Sequence, residues 1–241
     1  MEFRPQVSVR WYGDVAVVCA PGALAETWPQ VRRELQFVLS SQPMAVLVDL
    51  TEGVDDRGTE LEAALTELEW HAQAWSGVAI VACGPHQAIR DSARGALLVA
   101  PTLEAALASL RGRAAPEQIR VELPPDPRSA ADARQVAQHA TLLWDAQSDD
   151  VAILVSELVT NAVVHAHGWI ELSVSRYDRE LRIAVRDGSP NSPEARAMAD
   201  DGLGGRGLGL VQALSHAWGT LPTRDGGKVV WCTLHTSSVA T

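Results

Sequence analysis

Two short apolar runs open the chain, Val7 to Trp11 and Val15 to Ala20, joined by Gly13-Asp14. Such a turn between strand-like runs predicts a hairpin. From Ala25 to Ser40 the apolar residues Trp28, Val31, Leu35, Val38 and Leu39 recur at helical spacing. Ala45 to Asp49 reads as a buried strand, Glu60 to Trp75 as a helix and Val78 to Cys83 as a strand. A short helix over Gln87 to Arg94, a strand over Ala96 to Val99 and a helix from Thr102 to Leu110 complete the first half. Strands alternating with helices predict an α/β domain whose sheet is largely parallel after the hairpin.

The second half follows another rhythm. A strand from Ile119 to Leu123 precedes helices over Ser129 to Leu143 and Asp149 to His165. Ile170, Leu172 and Val174, then Leu181, Ile183 and Val185, alternate as in two half-buried strands turning at Tyr177-Asp178. A Gly/Pro/Asp-rich loop from Gly188 to Gly205, a helix from Leu208 to Ala217 and a strand from Val229 to Leu234 follow. Hairpin strands with separate helices predict an α+β two-layer sandwich. The weakest stretch, Arg111 to Gln118, is small, charged and proline-containing. It sets expected domains at residues 1–112 and 119–241, with a linker at 113–118.

Composition narrows the function. The chain has 241 residues, 46% hydrophobic and 21% charged, a globular balance. A net charge of -10 excludes a nucleic-acid groove, which needs a basic stripe. It leaves ATP open, because backbone N–H groups and one or two cations hold phosphates. No apolar run reaches membrane-spanning length, and the first residues carry no signal-peptide core. The expectation is a cytoplasmic protein with no membrane contact. Cys19, Cys83 and Cys232 give neither a disulfide frame nor a metal spacing. Lys228 is the only lysine.

On the helix from Asp149, Glu157 and Asn161 are one turn apart and share a face. An Asn amide oxygen can bind a divalent cation, and a Glu can take a proton from a hydroxyl or water. A plain solvated face gives the same spacing. Asp187 closes a strand, where a carboxylate can accept from the adenine amino group or simply form a turn. Gly202 to Val211 runs glycines into a helix start, which suits phosphate. Gly226-Gly227-Lys228 leads into the last strand, and its lysine can reach a phosphate or sit in solvent. His165 and His167 offer two metal ligands and no third.

The order of these segments carries a resemblance. Glu157-Leu158-Val159-Thr160-Asn161-Ala162-Val163-Val164-His165-Ala166 resembles the N box of the GHKL (Bergerat-fold) ATPases. Asp187-Gly188-Ser189-Pro190 resembles their first glycine box, and Gly205-Arg206-Gly207-Leu208-Gly209-Leu210-Val211 the second. Leu123 to Ala130 and Gly227 to Trp231 resemble the edges of the anti-sigma-factor protein serine kinase branch. The resemblance spans residues 118–236. It implies Glu157 as general base and Asn161 as magnesium ligand. It implies Asp187 on adenine, with Ser189 and Asn191 where that box usually has glycines. Gly205, Arg206, Gly207, Leu208 and Gly209 would lie on the phosphates, Lys228 would join the nucleotide site, and residues 188–204 would be the ATP lid.

Residues 5–110 resemble a STAS domain, the fold of anti-sigma-factor antagonists, through Gly13 to Ala20, Gly22-Ala23-Leu24, Ala45 to Thr51 and Ala100 to Leu107. Where such antagonists carry a phosphorylated serine, this chain has Asp56 within Val54-Asp55-Asp56-Arg57-Gly58. The combined resemblance implies an anti-sigma-type serine/threonine protein kinase that uses ATP and Mg2+. Its partner would be a STAS-type antagonist, a sigma factor or both, in a pathway controlling transcription. A contact between its own domains and a homodimer are both open. The alternative is a non-catalytic pseudokinase module that sequesters a sigma factor or antagonist.

Overall fold

The computed structural model describes residues 6–52, 59–75, 77–85, 87–91, 95–146, 148–165, 168–191 and 206–236. The chain divides into two compact units, Met1–Ala115 and Pro116–Thr241.

The first unit is a five-stranded sheet in the order β1-β2-β3-β4-β5, formed by Ser8–Tyr12, Val15–Cys19, Ala45–Asp49, Ala79–Cys83 and Leu98–Ala100. β1 and β2 are antiparallel, with Tyr12 opposite Val15 across a two-residue turn. Gly13 in that turn has φ +61°, a conformation that suits glycine. β2 to β5 are parallel. The helices are α1 (Leu24–Ser40), α2 (Thr59–Ala74), α3 (Gln87–Asp91) and α4 (Leu103–Ser109). The central strands are buried on both faces, as the continuous apolar runs of β3 and β4 require. One face, with Val15, Val17, Ala45, Leu47, Ala79, Val81 and Cys83, packs against Ala106 and Leu110 of the α4 region. Thr102 caps α4 by accepting from the Ala105 N–H at 3.1 Å.

Two carboxylates fasten α2. Glu67 accepts from Trp28 Nε1 at 3.0 Å and from Arg32 Nε and Nη2, both at 2.7 Å, which ties α2 to α1. Glu69 accepts from the Ala96 and Leu97 N–H groups at 2.8 and 2.9 Å, just ahead of β5.

The second unit is an antiparallel sheet in the order β6-β7-β8-β10-β9. Its strands are Glu117–Leu123, Ile170–Tyr177, Glu180–Asp187, Ala217–Pro222 (β9) and Lys228–His235 (β10). The helices are α5 (Ser129–Leu143), α6 (Asp150–His165) and α7 (Arg206–Leu214). Ile170, Leu172, Val174, Leu181, Ile183 and Val185 join Leu154, Val155, Leu158 and Val159 of α6 in one core. This is the two-layer packing of helices on a sheet that the alternation in β7 and β8 predicts.

Two sequence expectations change. The helix expected to reach Ala217 ends at Leu214, and residues 217–222 form an edge strand. Ser215 turns its hydroxyl back to the Val211 carbonyl, and the His216 N–H already donates to Thr233 of β10 at 2.7 Å. The first strand begins at Glu117 inside the expected linker, because Glu117 and Gln118 pair with Arg176 and Ser175.

Candidate nucleotide site

The core stripe of α6 buries Val151, Leu154, Val155, Leu158, Val159 and Ala162. This rotation leaves Glu157 and Asn161 half-buried on the helix flank, one turn apart. The Asn161 amide nitrogen is buried with no hydrogen-bond partner among the described residues. A buried amide without a partner costs about 1–3 kcal/mol, so it marks a position where a ligand would be stabilising.

α7 brings the second glycine segment to Glu157. A side chain at Gly207 would collide with the Glu157 carboxylate, so the helix start and the carboxylate touch only because residue 207 is glycine. A side chain at Gly209 would meet no atom of the described residues. Leu208 and Val211 turn inward and anchor α7 on the core. No acidic residue occupies its own first turn, so the carboxylate at its positive dipole end is that of Glu157 from α6. Gly205 and the stretch expected as a lid beyond Asn191 lie outside the described residues.

At the far end of β8, Asp187 is buried. Its Oδ1 accepts from Lys228 Nζ at 2.8 Å and from the Ser189 N–H at 2.8 Å. Lys228 Nζ also donates to the Ser189 carbonyl at 3.3 Å. The Lys228 side chain is 3% exposed and that of Asp187 0%. The sequence leaves Lys228 open between a phosphate and solvent; here it lies on Asp187. Gly227 makes this pairing possible, since a side chain there would strike the Asp187 carbonyl. Asp187 Oδ2 is buried without a hydrogen-bond partner among the described residues. One carboxylate oxygen is therefore committed within the protein, and the other remains for a donor such as a base amino group.

Ser189 and Asn191, which replace glycines of the expected box, shape this loop. Ser189 is buried, its N–H closes a turn on Asp187, and its hydroxyl accepts from the Asn191 N–H at 3.4 Å. His165 ends α6 exposed, and His167 lies outside the described residues. The cysteines behave as buried packing groups. Burial pushes the Cys83 and Cys232 thiols up to about 12, and Cys19 is raised by its burial as well.

One cluster escaped the sequence reading. Glu180, His216 and His235 bring ligand atoms within 4.8 Å of one another at the opposite end of the sheet. They are separated by long stretches of chain, and only strand register joins them.

A carboxylate and an amide on a helix flank, a glycine-lined helix start against them and a buried aspartate at a strand end are the features that the sequence leads one to expect of a nucleotide site. Residues 123–234 match the family model of the histidine kinase-like ATPase domain, somewhat less than half of the chain. The second unit thus carries a GHKL-like ATPase domain, which implies ATP binding. Among solved structures, the crystal structure of the RsbU and RsbW domains of Rv1364c from Mycobacterium tuberculosis is similar at 22% identity. That likeness has a TM-score of 0.40 and covers 53% of this chain and 35% of that one. The comparison with curated proteins gives no match.

Proposed function

We propose that this protein is a partner-switching regulator whose second unit transfers the γ-phosphate of ATP to a serine of a separate STAS-type antagonist. The observation that carries this reading is the meeting of Glu157 with Gly207, which sets a base carboxylate at a helix start suited to phosphate. In the reaction, the serine hydroxyl oxygen forms a bond to the γ-phosphorus as the bond to the β-phosphate bridging oxygen breaks. ADP leaves, and the hydroxyl proton passes to Glu157. Asn161 would hold Mg2+, which offsets the negative charge of the phosphates. Asp187 would accept from the base through Oδ2, with Lys228 and Ser189 holding its other oxygen. Glycine at 209 leaves room beside the phosphates.

The first unit enters this reading as a STAS-like domain that guides partner choice. Its hairpin followed by parallel strands is consistent with that assignment. Asp56, which lies outside the described residues and stands where the STAS resemblance puts the phosphoserine, has no hydroxyl to accept phosphate, so this reading takes the substrate serine from another protein.

The test is phosphoserine formation on a STAS protein incubated with the full chain and Mg-ATP. Glu157→Ala should abolish transfer and leave nucleotide binding nearly intact. Transfer that persists in that variant removes Glu157 from its role. The buried Lys228–Asp187 pair favours a second reading, a non-catalytic module that sequesters a sigma factor or antagonist. It commits one oxygen of Asp187 to the protein's own cation. Phosphoserine formation separates the two, and calorimetric titration tests the site itself. Mg-ATP binding that weakens sharply in Asn161→Ala establishes a working nucleotide site, and no binding to either protein supports the second.

A further inference from the structure

We propose that Glu180, His216 and His235 form a binding site for a zinc-type divalent cation, separate from the nucleotide site. Glu180 and His235 are direct cross-strand partners of β8 and β10, and His235 Nδ1 lies 3.3 Å from Glu180 Oε1. The His216 and His235 rings stand 4.5 Å apart between centroids, tilted by 52°. All three residues offer a ligand atom within 4.8 Å of the others. Tetrahedral zinc with bonds of about 2.1 Å sets its ligands about 3.4 Å apart. Small side-chain rotations by the exposed imidazoles close the remaining gap.

The backbone holds all three positions. The His216 N–H donates to the Thr233 carbonyl at 2.7 Å, and the Thr236 N–H donates to the Arg179 carbonyl at 2.8 Å. The Thr236 hydroxyl donates to the same Arg179 carbonyl at 3.1 Å. Two ligands thus come from one register pair and the third from a loop tied to that strand. Two imidazole nitrogens and one carboxylate suit zinc or cobalt, whereas Mg2+ takes oxygen ligands. Water would complete the coordination, because the His235 side chain is 61% exposed. Glu180 and Asp187 are the two ends of β8, roughly 23 Å apart at ~3.3 Å per residue. The cation would therefore tie the β8–β10 pair to the α7–β9 loop at the end remote from the nucleotide.

The test uses the full chain, stripped of metal. Titration with Co2+ should give one equivalent of binding with visible bands of tetrahedral cobalt, and ZnCl2 should raise Tm by mass action. His216→Ala and His235→Ala should each weaken Zn2+ binding at least tenfold while the metal-free Tm stays near that of the parent. Glu180→Gln should weaken it less, and the exposed His139→Ala not at all. The proposal is overturned by a parent protein with no cobalt bands and no Zn2+-dependent rise in Tm. It is equally overturned if MgCl2 gives the same rise, or if the His216→Ala/His235→Ala double variant binds Zn2+ like the parent.

Discussion

Lys228 and Asp187 form an ion pair with almost no solvent contact, 2.8 Å apart. Two charges leave water at a cost that only their mutual attraction and added hydrogen bonds offset. Here the Ser189 N–H and carbonyl provide those bonds. Lys228→Met should leave the carboxylate buried with its countercharge gone and lower stability by about 3–5 kcal/mol. The double variant Lys228→Met/Asp187→Asn should recover most of that loss. Urea unfolding of the three proteins measures both, and a single variant as stable as the parent would mean that Asp187 finds other compensation. Burial also governs the thiols. With Cys83 and Cys232 raised to about 12, almost no thiolate exists at pH 8, and no reagent reaches it. Disulfide-exchange reagents should therefore label neither residue in native protein and all three cysteines in denaturant. Fast native labelling of Cys83 or Cys232, located by peptide mass, would contradict this placement.

Elements were legible where periodicity was long. The alternation of β7 and β8 could be read directly, because Ile170, Leu172, Val174, Leu181, Ile183 and Val185 face one core, although Ser173, Ser175, Arg182 and Ala184 on the other face are buried as well. β9 was not legible. Trp218, Gly219 and Thr220 show no clean alternation, and the strand exists because β10 pairs with it and the Trp231 ring lies over Gly219. The site was legible in part for the same reason. Glu157 and Asn161 share a helix face, which spacing reveals. The partner of Lys228 and the Glu180–His216–His235 cluster depend on register across strands, which no local pattern encodes. The two glycines that begin α7 separate packing from ligand contact. Gly207→Ala pushes the Glu157 carboxylate aside. If Glu157 is the base, transfer should fall toward the ~10²–10⁴-fold that a positioned base supplies. Gly209→Ala meets no atom of the described residues and should leave Tm unchanged or raise stability by up to about 1 kcal/mol through helix propensity. Any loss of nucleotide affinity in Gly209→Ala, measured by calorimetry, then reports the nucleotide itself. A Gly209→Ala protein that unfolds more easily than the parent would place a packing contact there.

For the whole molecule, the titrating groups of the first unit make acid the destabilising direction. Burial lowers the His71 pKa below its ordinary 6.5, more than the nearby Glu67 raises it. A histidine whose folded pKa is depressed binds fewer protons folded than unfolded. Its contribution is therefore complete above pH 6.5 and is lost as pH falls from 6.5 toward the folded pKa. Glu67 behaves similarly at lower pH. Burial raises its carboxyl, but the hydrogen bonds from Arg32 and Trp28 outweigh that and leave it below the ordinary 4.5. Glu69 is also lowered, because the Leu97 and Ala96 N–H groups and Gln73 outweigh its burial. These two contributions are complete above about 4.5 and are lost as pH falls through the folded values. The acid limb should thus have two stages, one beginning below pH 6.5 and one below pH 4.5. His71→Gln should flatten the first stage and keep the second, since glutamine does not titrate. Glu67→Gln should lower stability at pH 7 by loosening α1 from α2, and should shrink the second stage. Thermal unfolding followed from pH 8 to pH 3.5 in the parent and both variants measures this. A parent curve flat between pH 7 and 5, or one whose upper stage survives in His71→Gln, would take His71 out of the account and leave the acid response to the carboxylates alone.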